Sequence, residues 1–83
     1  MNIENESSFI LLQNIISREL DIPTGEIQEH TDFSADLGAD SIDSLSILAQ
    51  VNNEFNIQLK EKDVYEVSTV GQLYQVILNQ TQS

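Results

Sequence analysis

Near the middle of the chain the sequence reads Asp36-Leu37-Gly38-Ala39-Asp40-Ser41-Ile42-Asp43. A glycine two residues before an Asp-Ser pair permits a sharp turn, and Asp40 is a suitable N-cap for a helix that begins at Ser41. Asp43 falls in the first turn of that helix, where a negative charge complements the helix dipole. The stretch therefore predicts a turn followed by a helix, with the Ser41 hydroxyl on the surface at the helix start.

Apolar residues continue from this start at helical spacing. Ile47, Val51 and Phe55 follow each other in steps of four, with Leu48 beside them, which is the pattern of a helix with one buried face. Asn56 is a residue type that ends helices. We predict a helix over residues 41–55.

The flanking segments predict three further helices. A stripe of Phe9, Leu12, Ile16 and Leu20 indicates a first helix over residues 9–20, with Ser7 or Ser8 as its cap. A short helical segment is expected around residues 63–66. A last helix over residues 70–78, capped by Thr69 or Ser68, is indicated by Val70, Leu73, Tyr74 and Ile77.

The long connection over residues 21–39 holds three apolar anchors, Ile27, Phe33 and Leu37. Because a long loop in a small domain is rarely loose unless it is functional, we expect this one to be packed down, with a short helical turn. The polar tail over residues 79–83 is expected to fray. The predicted fold is all-α, a small four-helix bundle of three main helices plus one short helix. We expect one domain over 1–83, with a core from about 8 to 78.

Charge and composition exclude several classes of function. The 83 residues include 14 acidic and 3 basic ones, for a formal net charge of -11, so nucleic acid and anionic membranes are poor partners and basic protein surfaces are natural ones. There is no cysteine, which excludes thiol nucleophiles and thiolate metal sites within the chain. The first residues lack the features of a signal peptide, and no stretch is long enough to span a bilayer. A cytoplasmic monomer is expected.

Ser41 is the residue best placed for chemistry. The unpaired amides and the positive dipole end of a helix favour an anion there, so this serine could hold a phosphate. It could also do no more than help to cap the helix, and the residues alone favour that simpler interpretation. No general base for a serine nucleophile is evident in the sequence.

A family resemblance covers most of the chain. From Ser8 to about Leu78 the sequence resembles the acyl carrier proteins of type II fatty-acid and polyketide systems, which are freestanding phosphopantetheine carriers. The stretch over residues 36–41 is similar to that family's attachment motif. The segments Asn53-Glu54-Phe55 and Ser68-Thr69-Val70 also fit the family pattern.

The resemblance implies a non-enzymatic carrier with a covalent 4′-phosphopantetheine at Ser41. A separate phosphopantetheinyl transferase (a holo-carrier synthase) would transfer that arm from coenzyme A, and its terminal thiol would carry acyl groups as thioesters. The implied partners are acyl-loading, condensing and tailoring enzymes with basic docking patches. Ser44 lies in a similar Asp-Ser-Leu context but lacks a glycine two positions before its aspartate, so we prefer Ser41.

The second helix is the family's docking element. The resemblance assigns docking to Asp40, Ile42, Asp43, Ala49 and Glu54. This chain is neutral at several positions where the fatty-acid carriers tend to be acidic, namely Ser46, Gln50, Asn52 and Asn53. Neutral drift and a different set of partners both remain open as explanations.

The remaining candidate residues give weaker evidence of function. An acyl chain sheltered in the bundle would meet Leu45, Leu48, Leu59, Val64 and Val67, yet core packing explains the same residues. His30 is the single histidine and is expected to be solvated, and no metal site is expected. Two alternative functions stay open: a peptidyl or aminoacyl carrier of a nonribosomal system, and an unmodified acidic helical adaptor.

Overall fold

The structure, a computed structural model, describes the backbone of residues 3–81 and the side chains of residues 7–81. Within that range it has four α-helices: α1 (Ile3–Leu20), α2 (Ser41–Phe55), α3 (Glu61–Tyr65) and α4 (Val70–Thr81). A 3-10 turn at Thr24–Glu26 lies between α1 and α2. The predicted all-α fold, with three main helices and one short one, is confirmed.

Helix α1 begins earlier than its apolar stripe indicated. It starts at Ile3, so Ser7 and Ser8 lie inside it and the prediction that one of them caps it is wrong. No glycine or proline interrupts residues 3–8. The helix ends at Leu20, where Asp21 takes a left-handed conformation with φ 57°.

One hydrophobic core joins all four helices. The side chains of Leu12, Ile15 and Ile16 from α1 are fully buried, as are Ile27 and Val51. The other buried members of the core are Ile47, Leu48, Leu59, Val64, Val70, Leu73, Tyr74 and Ile77. The predicted buried face of α2 is therefore confirmed, except that Phe55 is half-buried at its edge.

The long connection is packed down, as its anchors predict. Ile27 is fully buried, while Phe33 and Leu37 pack against the core from the side. Backbone hydrogen bonds then join the connection to the start of α4: the Phe33 amide donates to the Ser68 carbonyl at 3.0 Å, and the Val70 amide donates to the Thr31 carbonyl at 2.9 Å. These bonds fix residues 31–33 of the connection against the α3–α4 junction.

The last two helices differ from their predicted bounds. Helix α3 covers residues 61–65 and not 63–66, because the Lys60 amide donates to the Asp63 carboxylate at 2.9 Å and starts the helix early. Helix α4 continues to Thr81, so the expected fraying is wrong for residues 79–81; residues 82 and 83 lie outside the described residues. Thr69 caps α4 as predicted, since its Oγ1 accepts from the Gln72 amide at 3.2 Å.

Candidate functional site

The start of α2 is fixed by a reciprocal cap. The Asp43 amide donates to the Asp40 carboxylate at 2.9 Å, and the Asp40 amide donates to the Asp43 carboxylate at 3.2 Å. Asp40 itself has extended backbone angles, as an N-cap requires. The predicted cap is confirmed, and it places Ser41 as the first residue of the helix.

The turn before this cap depends on Gly38. Its φ is +66°, a left-handed conformation that side chains rarely adopt. The next residue, Ala39, donates its amide to the Phe33 carbonyl at 2.8 Å, which ties the turn back to the docked connection. The predicted glycine turn is confirmed, and the chain enters α2 along a defined path.

Ser41 is exposed at this start. Among the described residues, no hydrogen-bond partner is found for the Ser41 hydroxyl or for the backbone amides of Ser41 and Ile42. The reciprocal cap uses the third amide of the helix, at Asp43, and the Ser44 amide donates to the Asp40 carbonyl at 2.9 Å. Two backbone donors therefore remain at the helix start for an anion attached to Ser41.

A groove of about 490 Å³ opens beside Ser41. Its polar lining is Asp32, Ser34, Asp40, Ser41, Ser44 and Ser68. Tyr65 lies at the same groove, together with the apolar Phe33, Ala39, Val64 and Val67. Sequence reasoning missed this groove, because one side of it comes from the connection and the start of α2, and the other from α3 and the α3–α4 junction.

Among the residues that the structure describes, the groove places no strong base near Ser41 that would make it a catalytic nucleophile. No histidine, lysine or arginine lines it, and the exposed His30 is not among its residues. A serine nucleophile that works alone needs a strong base within hydrogen-bond reach. The arrangement suits a serine that another protein modifies.

The residues assigned to docking lie along α2 and its cap. Asp40 and Ala49 are exposed, Asp43 is half-buried in the cap, and the Ile42 side chain is 74% exposed. Glu54 is engaged in a salt bridge with Arg18 of α1. Its charge is therefore partly neutralised within the protein.

One of the neutral positions on α2 has a structural role that the sequence did not reveal. The Asn52 side chain donates to the Leu59 carbonyl at 3.0 Å and accepts from the Leu59 amide at 2.8 Å. This pair of hydrogen bonds holds the connection between α2 and α3 against α2. Asn52 therefore needs no explanation in terms of partner choice.

The candidate acyl-lining residues divide into two groups. Val64 and Val67 line the groove, whereas Leu48 and Leu59 are core residues that do not, and Leu45 is 37% exposed on the surface. A crevice of about 30 Å³ adjoins the groove, and Phe33, Ser44, Val64 and Val67 line both spaces. The groove thus narrows toward Ile47 and Leu73, which complete the lining of the crevice.

Two features of other classes of protein are absent from the described residues. No cluster of His, Cys, Asp or Glu that could hold a metal ion was found among them. Within the same residues, no helix is both long enough and apolar enough to cross a membrane.

Comparison with known proteins shows which family the chain is similar to. A family model described as a phosphopantetheine attachment site matches residues 11–77. An acyl carrier protein of Chlorobium phaeobacteroides is 34% identical over 65 residues, which cover 78% of this chain and 83% of the relative. An acyl carrier protein of Trieres chinensis is 30% identical over 73 residues, which cover 88% of this chain and 91% of the relative. An acyl carrier protein of Picosynechococcus sp. is 29% identical over 77 residues, which cover 93% of this chain and 95% of the relative.

Proposed function

The chain belongs to the acyl carrier protein family, whose members carry a covalent 4′-phosphopantetheine and are not enzymes, and on that premise we propose that Ser41 is the attachment point. The arm then tethers acyl intermediates as thioesters and presents them to biosynthetic enzymes of a fatty-acid or polyketide-type pathway. The observation that carries this proposal is the exposed Ser41 hydroxyl at the first residue of α2, beside a groove and next to two unpaired amides.

The residues at the helix start fit the phosphate of the arm. The amides of Ser41 and Ile42 have no partner among the described residues, and a phosphodiester attached to the Ser41 oxygen would be held close to them. Backbone amides and the helix dipole stabilise such an anion without a basic side chain. This matters here because no basic residue lines the groove.

The arm supplies a thiol, which a chain without cysteine cannot supply itself. The protein's own residues contribute the position of the attachment point. Asp40 and Asp43 fix the helix start through their reciprocal hydrogen bonds, and Gly38 sets the turn that exposes the serine. We propose that a phosphopantetheinyl transferase provides the base that accepts the serine proton, since the groove offers no strong base.

The acidic surface suits basic partner enzymes. The formal net charge is -11, and charge of one sign speeds encounter with a surface of the opposite sign more than it strengthens binding. We propose that docking uses Asp40, Asp43, Ile42 and Ala49, with little contribution from the Arg18-bound Glu54. Docking along α2 from its N-terminal cap to Ala49 would bring a partner's active site close to the arm.

Attachment at Ser41 is tested by intact mass. The purified chain is incubated with coenzyme A and a broad-specificity phosphopantetheinyl transferase. We expect one added phosphopantetheine unit, which is lost in Ser41→Ala and retained in the matched variant Ser44→Ala. Absence of any gain with an active transferase would favour the unmodified adaptor, and an aminoacyl group on the chain isolated from cells would favour the aminoacyl carrier.

A further inference from the structure

Ser44 occupies a position that the attachment chemistry does not use. It lies one turn along α2 from Ser41 and lines both the groove and the crevice that continues from it. Among the described residues it is the one polar side chain that lines the crevice, beside Phe33, Ile47, Val64, Val67 and Leu73. The Ser44 hydroxyl therefore stands where the polar groove meets the apolar interior.

The groove is lined by hydroxyl groups with unused hydrogen-bonding capacity. No hydrogen bond from the side-chain oxygens of Ser34, Ser44, Tyr65 or Ser68 is found to any residue in the part of the chain that the structure describes. A hydroxyl group both donates and accepts hydrogen bonds. The groove can therefore bind an oxygen-bearing group through several of these side chains.

The interior behind Ser44 has little room. The crevice measures about 30 Å³, only about two to three times the roughly 10–15 Å³ that a cavity needs to hold one water molecule. Ile47 and Leu73 close it, and each of them is only 1% exposed. Because a packed core resists added methylene groups, a long alkyl chain could enter only by displacing these side chains.

We propose that this carrier accommodates short acyl groups that bear a hydroxyl or carbonyl oxygen, with Ser44 as a residue that determines this specificity. The proposal rests on attachment of the arm at Ser41. The oxygen of the acyl group hydrogen-bonds the Ser44 hydroxyl at the throat of the groove, and the short carbon chain contacts Val64 and Val67. Long saturated chains stay outside the bundle.

The test loads three acyl groups from their coenzyme A thioesters with a transferase: 3-hydroxybutyryl, butyryl and octanoyl. The rate at which hydroxylamine cleaves each thioester is followed by intact mass and divided by the rate for the same acyl-coenzyme A. The first two groups differ by one oxygen atom, and the last two differ in chain length only.

We expect the 3-hydroxybutyryl thioester to be cleaved about two- to tenfold more slowly than the butyryl one, the effect of one net hydrogen bond. The octanoyl thioester should be cleaved as fast as the butyryl one. Ser44→Ala should abolish this difference between the 3-hydroxybutyryl and butyryl thioesters. The difference should persist in Ser46→Ala, a matched change at an exposed residue of the same helix that does not line the groove.

Slower cleavage of the octanoyl thioester than of the butyryl one would overturn the inference, as would an absent hydroxyl advantage or one that survives in Ser44→Ala. In each of these cases the chain would still be loaded, and the proposed function would stand. Failure to load any of the three groups would instead refute attachment itself, and the inference with it.

Discussion

At the scale of single residues, Ser41 and Tyr74 show how burial divides polar groups by role. Ser41 is exposed, whereas Tyr74 is buried and its ring meets Phe9 edge-on, with centroids 5.1 Å apart. Burial raises the pKa of the Tyr74 phenol above its ordinary value of 10.0, and the nearby Glu29 carboxylate adds to the effect. The first residue is available to partners, and the second belongs to the core.

The raised pKa of Tyr74 predicts a loss of stability in alkali. A group whose pKa is higher in the folded state stabilises the fold fully below its unfolded pKa, and that contribution is lost as the pH rises through the folded pKa. The free energy of unfolding should therefore fall above pH 10, and it should fall less steeply in Tyr74→Phe. Urea unfolding followed by helical circular dichroism between neutral pH and alkali checks this, and equal slopes for the two proteins would contradict it.

At the scale of elements, α2 owes its sharp start to two carboxylates. Asp40 and Asp43 exchange hydrogen bonds with each other's amides, and Asn56 ends the helix in a left-handed conformation with φ 58°. Both signals lie within three residues of the helix ends. The bounds of α2 were predictable from the sequence for this reason.

Two substitutions should separate the effect of the Asp40 charge from the effect of its capping hydrogen bond. Asp40→Ala should lower the free energy of unfolding by about 1 kcal/mol, the usual effect of losing an N-cap. Asp40→Asn keeps a cap oxygen and should change stability far less, while it should slow association with a basic partner enzyme. Urea unfolding and stopped-flow association measure the two effects. If Asp40→Asn were as unstable as Asp40→Ala, the cap would not be the source of the stability.

The docking of the long connection depends on a close approach at α4. The Gly71 amide donates to the Glu29 carbonyl at 2.8 Å, and a Cβ atom at Gly71 would lie 2.8 Å from that same oxygen. A side chain there has to push backbone away, which is harder than moving the end of another side chain.

Gly71→Ala should therefore destabilise the protein although alanine favours helices. We expect a net loss of about 1 to 2 kcal/mol, since overpacking outweighs the gain in helix propensity. Gly25→Ala is the matched control, because nothing lies within 4 Å of a Cβ there. Urea midpoints and the hydrogen exchange of the Val70 amide report the effect, and a stabilised Gly71→Ala would show that the contact is not tight.

At the scale of the whole molecule, the limits of sequence reasoning follow from distance along the chain. The helix stripes, the Gly38 turn and the Thr69 cap are local patterns, and the structure confirms them. The salt bridge from Arg18 to Glu54, the Asn52 clasp on Leu59 and the two-sided groove join residues that are separated in sequence. No short-range signal marks such contacts. The start of α1 was predicted too late for a different reason: residues 3–8 precede the apolar stripe on which the prediction depended.

The strong negative charge predicts an unusual response to salt. With a net charge of -11 and, among the described residues, a single salt bridge, repulsion between like charges opposes the compact state. Raising the ionic strength from about 0.01 M to about 0.15 M shortens the Debye length from about 30 to about 8 Å, so the urea midpoint should rise. Arg18→Gln should steepen this rise, because it removes a counter-charge. A midpoint that falls with added sodium chloride would contradict the prediction.

The central claim, that Ser41 carries the phosphopantetheine arm, is tested most directly by locating the arm within the loaded protein. Trypsin cuts after Arg18 and Lys60, which leaves a peptide over residues 19–60 that contains both Ser41 and Ser44. Fragmentation of the loaded peptide between those two serines separates their masses. We predict that the added mass stays with fragments that contain Ser41 and lack Ser44; added mass on Ser44, or on any other residue, would contradict the claim.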